Sequence, residues 1–147
     1  MASPSDVLVS IVSPIHNAAS WIKDYLAEVS GLLSTHFKDY EIVLVDNYSS
    51  DQTVDLVKAA QQELHNIQLY SLARPVPHDS AFVIGLEQAI GDVVITMDAA
   101  YDPLDYVMTM IELATAKSEI IYGIRSDRDR PHSGLYNGFS KIFFKLY

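Results

Sequence analysis

The sequence predicts an α/β protein, with a mostly parallel sheet and helices on both faces of that sheet. Three observations support this prediction. Short apolar runs rich in β-branched residues alternate with segments of helical periodicity. Strands that alternate with helices pair in parallel through right-handed crossovers. The run at 41–46, EIVLVD, is almost continuously apolar, as expected of a strand covered on both faces.

The first strand and helix are predicted near the start of the chain. The run at 7–13, VLVSIVS, is rich in β-branched residues and stops at Pro14, which is typical of a strand. Apolar residues then recur at helical spacing over 20–35, which predicts a helix with Ser20 as its N-cap.

The same alternation continues through the body of the chain. The strand at 41–46 leads into a predicted helix over 51–64, where Asp51 is of a residue type that caps helices. The remaining predicted elements are strands at 67–72, 92–97 and 119–124 and helices at 80–90 and 103–116.

A basic loop and an aromatic helix, together residues 125–147, are predicted to complete the same domain. The stretch at 125–134, RSDRDRPHSG, has no apolar residue apart from its proline, and it separates the α/β body at 1–124 from a final helix at 135–147. Aromatic residues fall on one side of that helix. We expect a second copy of the chain to bury this side, which predicts a homo-oligomer.

Composition and charge exclude several classes of protein. The chain of 147 residues has no cysteine, which removes disulfide frameworks, thiolate metal sites and cysteine nucleophiles. Its net charge is -9, and residues 1–122 hold five Lys and Arg against seventeen Asp and Glu, so we expect no binding to nucleic acid. No apolar run approaches the ~20 residues of a transmembrane segment, and no export signal is visible. We therefore expect a cytoplasmic protein.

Polar residues follow the predicted strands, at the edge where open parallel sheets bind ligands. His16 and Asn17 come after the first strand, Asp46 ends the second, Asp98 follows the fourth and Arg125 follows the fifth. Carboxylates and arginines at one edge suit a metal ion and a phosphorylated ligand.

Four segments resemble motifs of the family 2 glycosyltransferases. They are VSIVSPIHN at 9–17, VDNYSSDQT at 45–53, MDA at 97–99 and YGIR at 122–125. The pattern is most similar to the N-terminal, nucleotide-binding part of the polyprenyl-phosphate sugar transferases, a group that includes dolichol-phosphate mannose synthase. The resemblance implies a Rossmann-like GT-A fold, here truncated at its C-terminus.

The resemblance also implies a function and a set of site residues. The reaction is transfer of a sugar from a nucleoside-diphosphate sugar to an acceptor, which in this branch is a polyprenyl phosphate at the cytoplasmic face of a membrane. The implied nucleotide-binding residues are Pro14, His16, Asn17, Asp46 and Asp98. The implied ligands of a divalent cation, Mg²⁺ or Mn²⁺, are Asp98 and Asp102, and the implied phosphate and acceptor contacts are Arg125, Arg128 and Arg130. No residue is assigned as the catalytic base.

The sequence departs from the family pattern at the metal motif and before the third helix. Ala100 stands where the motif has its second Asp, so either Asp102 coordinates in its place or the metal binds weakly. PVPH at 75–78 replaces an Asn-x-Gly-Lys type of segment. The second hypothesis is therefore a non-catalytic nucleotide-binding or assembly module.

Several polar residues also have an ordinary structural interpretation. Asp51 and Asp102 are typical helix caps, and Asp102 precedes a first-turn proline. The remaining histidines lack metal-ligand spacing and are predicted to face solvent, namely His36, His65, His78 and His132.

Overall fold

A four-stranded parallel sheet forms the centre of the computed structural model, which describes residues 6–117, 120, 121 and 123. The strands are β1 (Val9–Ile15), β2 (Tyr40–Asp46), β3 (Ile67–Ser71) and β4 (Val93–Thr96). Their order across the sheet is β3-β2-β1-β4. Every pair is parallel, with Val9 opposite Tyr40 in β2 and Val93 in β4. The predicted parallel α/β architecture is confirmed.

Helices cover both faces of the sheet, as predicted. They are α1 (Ile22–His36), α2 (Thr53–Ala60), α3 (His78–Gln88) and α4 (Val107–Lys117), the last preceded by a 3₁₀ turn at Leu104–Tyr106. One face packs its larger side chains against α1, α2 and α4 in the main core. The opposite face packs the valines Val12, Val43 and Val94 beneath α3. Among the described helices, none is long and apolar enough to cross a membrane.

β1 continues beyond the predicted stop at Pro14 and ends at Ile15. Ile15 accepts a hydrogen bond from Asn47 of the β2 side, whereas Val12 accepts one from Met97 of the β4 side. Successive residues of a strand direct their backbone N–H and C=O groups toward opposite neighbouring strands. The backbone of Pro14 is therefore directed toward β4, as that of Val12 is. The β4 ladder has already ended at Thr96, so the missing N–H of Pro14 costs no ladder hydrogen bond.

The helix starts differ from the predictions by a few residues. α1 begins at Ile22, and within the described part of the chain no side chain caps it, so the N-cap assigned to Ser20 is wrong. The backbone carbonyl of Ala18 accepts hydrogen bonds from Trp21 and Ile22 instead. The predicted elements at 119–124, 125–134 and 135–147 lie largely or wholly outside the described residues.

α3 lies unusually close to the sheet at Gly85. A Cβ built on Gly85 would lie 2.4 Å from Val12 Cγ1 and 3.0 Å from Val45 Cγ2. Both distances are shorter than a normal contact, so only glycine fits between this helix and the two central strands.

A buried polar network closes the amino end of the sheet. Glu41, although buried, accepts hydrogen bonds from the Ser10 hydroxyl, the Gln68 amide and the backbone N–H of Ile90. Ser10 in turn accepts a bond of 2.8 Å from the backbone N–H of Gly91. Both carboxylate oxygens are thereby engaged, so loss of the Glu41 side chain would leave buried donors without a partner.

Candidate functional site

The strand order has a switch point between β1 and β4. The chain runs from β1 outward to β3 and then returns past β1 to form β4, so the order reverses between β1 and β4. Open α/β sheets bind ligands outside the strand ends at such a point. The loops that follow β1, β2 and β4 all begin there, together with the loop between β3 and α3.

Asp46, the last residue of β2, has a buried carboxylate that is only half used. Asp46 as a whole is only 2% exposed. Oδ2 accepts a hydrogen bond of 3.3 Å from the backbone N–H of Ser49. Oδ1 is buried and has no hydrogen-bond partner among the residues that the structure describes. Leaving a buried acceptor without a partner costs about 1–3 kcal/mol, so this atom is a strong candidate for a ligand contact.

His16 and Asn17 lie on the rim directly after β1 and are exposed. His16 Nδ1 lies 2.9 Å from the backbone carbonyl of Asn47. Because a carbonyl only accepts, Nδ1 carries the proton and donates, which leaves Nε2 to accept the Asn17 amide at 3.1 Å. Asn17 has a φ of 48°, in the left-handed region that asparagine tolerates, and its Oδ1 accepts the backbone N–H of Ser50.

Two side chains at the start of α2 and just before it accept hydrogen bonds from the backbone of the β1–α1 loop. Thr53 Oγ1 accepts the N–H of Ala18 at 2.7 Å, and Asp51 Oδ2 accepts that of Ala19 at 3.1 Å. Asp51 Oδ1 also accepts the N–H and the hydroxyl of Thr53, the first residue of α2. The N-cap position of α2 is Gln52 rather than Asp51. The Thr53 hydroxyl holds the pKa of the Asp51 carboxyl below its usual range, and backbone bonds lower it further.

A third loop is fastened to this rim by Asn47. The Asn47 side chain donates to the carbonyl of Val76 and accepts the N–H of Val76, both at 2.9 Å. This pair of bonds fixes the loop between β3 and α3 against the end of β2. The position of α3, which begins two residues later at His78, is thereby tied to the Asp46 end of the site.

Asp98 and Asp102 belong to one tightly bonded loop after β4. The Asp98 backbone N–H donates to Asp102 Oδ2 at 2.7 Å, and Asp98 Oδ1 accepts the N–H of Ala100 at 3.1 Å. Asp102 also borders a separate cleft of about 410 Å³ between this loop and α1, lined in part by Trp21 and Tyr25. Neither Asp46 nor Asp98 lines that cleft.

Tyr25 supports this loop from α1. Its hydroxyl is 2.9 Å from Ser13 Oγ. Burial raises the pKa of Tyr25 well above its usual range, and the nearby carboxylates of Asp102 and Asp98 raise it further, while the bond to Ser13 lowers it. Tyr25 therefore stays protonated at neutral pH and places an uncharged side chain beside the loop.

His78 contacts Asp98, and the sequence did not predict this contact. Its prediction as a solvent-facing side chain is wrong, because His78 Nε2 lies 3.3 Å from Asp98 Oδ2 and the side chain is 34% exposed. The ring also meets Phe82 edge to face, with centroids 4.9 Å apart. The local sequence carries no signal for this contact beyond the place of His78 in PVPH at 75–78, the segment that departs from the family pattern.

The described residues do not form a multidentate site for a divalent cation. They contain no group of three or more His, Cys, Asp or Glu able to hold a metal ion. Asp98 and His78 form a pair, and a cation that also binds a diphosphate needs only one or two protein ligands. The predicted phosphate contacts Arg125, Arg128 and Arg130 lie outside the described residues.

Comparison with known proteins connects this geometry to a family. The model of glycosyl transferase family 2 matches residues 10–140. The undecaprenyl-phosphate 4-deoxy-4-formamido-L-arabinose transferase of Edwardsiella ictaluri is 32% identical over 137 residues, covering 88% of this chain and 42% of that protein. The transferase of the same name from Pseudomonas fluorescens is 31% identical over 122 residues, covering 82% of this chain and 36% of that protein. The chain thus spans less than half the length of these relatives.

Solved structures share the fold at lower sequence identity. The mannosyltransferase PcManGT of Pyrobaculum calidifontis, in complex with GDP-Man and Mn²⁺, has a TM-score of 0.70 and 20% identity over 85% of this chain and 37% of its own. Residues 1–349 of S. aureus TarS in complex with UDP have a TM-score of 0.62 and 22% identity over 85% of this chain and 38% of that one. These likenesses identify the GT-A fold. On the family match and the curated relatives, the chain belongs to glycosyl transferase family 2.

Proposed function

We propose that the chain binds the nucleoside diphosphate part of a sugar donor, within a glycosyltransferase that moves the sugar to a polyprenyl phosphate. The relatives from Edwardsiella ictaluri and Pseudomonas fluorescens are named for undecaprenyl phosphate. In the transfer, the bond between sugar and diphosphate breaks, a bond to an acceptor oxygen forms, and the nucleoside diphosphate leaves.

The observation that supports the proposal best is the buried Oδ1 of Asp46 at the ligand-binding edge. A ring N–H of the nucleobase would donate to this oxygen and recover the hydrogen bond that no described residue makes. Because the oxygen is buried, the base must displace loop residues that cover it. Pro14, His16 and Asn17 stand beside this position and are proposed to line the base pocket.

The phosphate side of the donor is proposed to lie at Asp98. β1 separates β2 from β4 in the sheet, so Asp46 and Asp98 are two strand spacings, about 10 Å, apart along the edge. A nucleotide spans such a distance between its base and its phosphates. A divalent cation, Mg²⁺ or Mn²⁺, would stabilise the charge of the departing diphosphate there.

The acceptor side is proposed to involve the basic segment and a membrane surface. Arg125, Arg128 and Arg130 would bind the phosphate of the acceptor. Asp102, which the family resemblance implies as a metal ligand, is one of two candidates for the second ligand of the cation. The site would then work at the cytoplasmic face of a membrane. The alternative, a non-catalytic nucleotide-binding or assembly module, is not favoured by the family match or by the named relatives.

The substitution Asp46→Asn tests the donor site. We expect UDP or GDP to raise the Tm of the wild-type chain, since a ligand at about 100 times its Kd stabilises by roughly 2.7 kcal/mol, and each kcal/mol moves the Tm by about 2–4 °C at this size. Asp46→Asn should lose this rise, while its own Tm without nucleotide stays the same or increases, because a buried charge is removed.

The matched control is Asp55→Asn, which changes an exposed carboxylate on α2 and should keep the nucleotide response. An Asp46→Asn variant that binds nucleotide as the wild type does would refute the role of Asp46. A cooperatively melting wild-type chain that responds to neither nucleotide, with or without Mn²⁺, would refute the donor site as a whole.

A further inference from the structure

We infer that His78 and Asp98 together are the protein ligands of the divalent cation, with the imidazole serving where the second carboxylate of the metal motif is replaced by Ala100. This inference rests on the proposed function, because it assumes a cation at the diphosphate. It concerns the first residue of α3, which precedes Asp98 in the chain by all of α3 and β4.

The distance between the two candidate ligand atoms fits one shared ion. His78 Nε2 and Asp98 Oδ2 are 3.3 Å apart. Two adjacent ligand atoms bound at the usual lengths to one small divalent ion lie about 3 Å apart. The ion therefore needs only a small adjustment of either side chain, with Nε2 binding as the neutral imidazole.

Two hydrogen bonds within the loop after β4 fix the position of Asp98. Asp98 Oδ1 already accepts the N–H of Ala100, and Asp102 Oδ2 already accepts the N–H of Asp98. Asp102 thus fixes the loop backbone that carries Asp98. Side-chain exposures of 34% for His78 and 23% for Asp98 leave both partly open to a ligand.

Local structure holds the His78 ring in place. His78 is the first residue of α3 and follows Pro77, and its ring packs edge to face on Phe82 one helical turn later. The preceding loop is fastened to β2 through Asn47 and Val76. A ligand held in this way loses little side-chain freedom on binding a metal.

The donor set predicts which cation is preferred. Carboxylate and water oxygens suit Mg²⁺, whereas an imidazole favours the first-row transition ions. We expect the chain with UDP or GDP to bind Mn²⁺ more tightly than Mg²⁺. The substitution His78→Asp should narrow that preference, because it supplies a second carboxylate in place of the nitrogen.

Pulsed electron paramagnetic resonance of Mn²⁺ tests the inference directly. The full chain is labelled with ¹⁵N-histidine and loaded with Mn²⁺ and UDP or GDP, and the spectrum is searched for the coupling of a histidine nitrogen. We expect that coupling in the wild type, its loss in His78→Ala with at least a tenfold weaker Mn²⁺ affinity, and no change in His65→Ala. His65 is exposed and lies before β3, at the opposite edge of the sheet.

Each other result overturns the inference in a recognisable way. Bound Mn²⁺ without a histidine coupling in the wild type shows that the metal is held by carboxylates, and it leaves the proposed function intact. The wild-type spectrum decides this point even if His78→Ala does not fold. Loss of Mn²⁺ in Asp102→Ala but not in His78→Ala assigns the second ligand to Asp102. A chain that binds no nucleotide at all refutes the proposed function and this inference with it.

Discussion

The carboxylate of Asp51 joins two loops that are far apart in the sequence. It accepts bonds from the start of α2 and from Ala19 in the β1–α1 loop. Sequence reasoning predicts the first of these roles, since a bond to the start of α2 depends on neighbours in the chain. The second role depends on the parallel pairing of β1 and β2, which brings the two loops together only in the folded protein.

The lowered pKa of Asp51 predicts how the stability of the fold depends on pH. A carboxyl whose pKa is lower in the folded state stabilises that state above the ordinary aspartate range, about pH 4, and the contribution is lost as the pH falls through the lowered pKa. Asp51→Asn should therefore have a lower Tm than the wild type at pH 7, and the difference should shrink near pH 3. Thermal melts at both pH values measure this, with Asp39→Asn as an exposed control. A constant difference would contradict the assigned cause.

The positions of Asp46 and Asp98 at the carboxyl edge could be predicted from the sequence, whereas the contact of His78 with Asp98 could not. A carboxylate at the end of an apolar strand signals its place at the ligand-binding edge without further information. His78 reaches Asp98 only because the chain returns from β3, past β2 and β1, to form β4. Such a crossover decides which loops meet, and nothing in the local sequence encodes the meeting.

At the scale of elements, period and composition predict the strands and helices, but not their exact ends. The observed end of β1 lies two residues beyond the predicted end at 13. Pro14 can be part of the strand because the pairing with β4 has already ended at Thr96. The helix predicted at 103–116 begins instead with a 3₁₀ turn, and α4 itself begins at Val107. Tertiary hydrogen bonds, such as those that hold Asp98 and Asp102, decide these boundaries.

The close packing of α3 on the sheet predicts a strong effect of a single methyl group. Gly85→Ala should lower the free energy of unfolding by about 1–3 kcal/mol, because the new Cβ would overlap Val12 and press on Val45. Gly31→Ala in α1 is the control. No described atom lies within 4 Å of its added Cβ, so alanine should stabilise that helix by about 0.5–1 kcal/mol. Urea denaturation measures both, and equal effects would contradict the packing argument.

For the whole molecule, the fold class and the family follow from the sequence, while assembly remains a prediction. The expected homo-oligomer depends on the aromatic residues at 135–147, which the structure does not describe. Light scattering during gel filtration should find more than one chain per particle, and Phe143→Asp should shift it toward the monomer. Val83→Asp, at an exposed apolar residue of α3, should not. A monomer at all concentrations would contradict the prediction.

Substitutions at the two edges of the sheet are expected to have different effects in a mutational screen, because the hydrogen-bond network around Glu41 stabilises the amino edge. Each oxygen of Glu41 is bonded within the fold, so a substitution there leaves donors of the neighbouring strand and loop without a partner. In a cell such a loss registers as low abundance, because unfolded chains are degraded. A substitution of a ligand-binding residue at the carboxyl edge would instead leave the amount of protein unchanged and lower its activity. Genetic variation in this chain is therefore best interpreted with the amount of protein measured beside its activity.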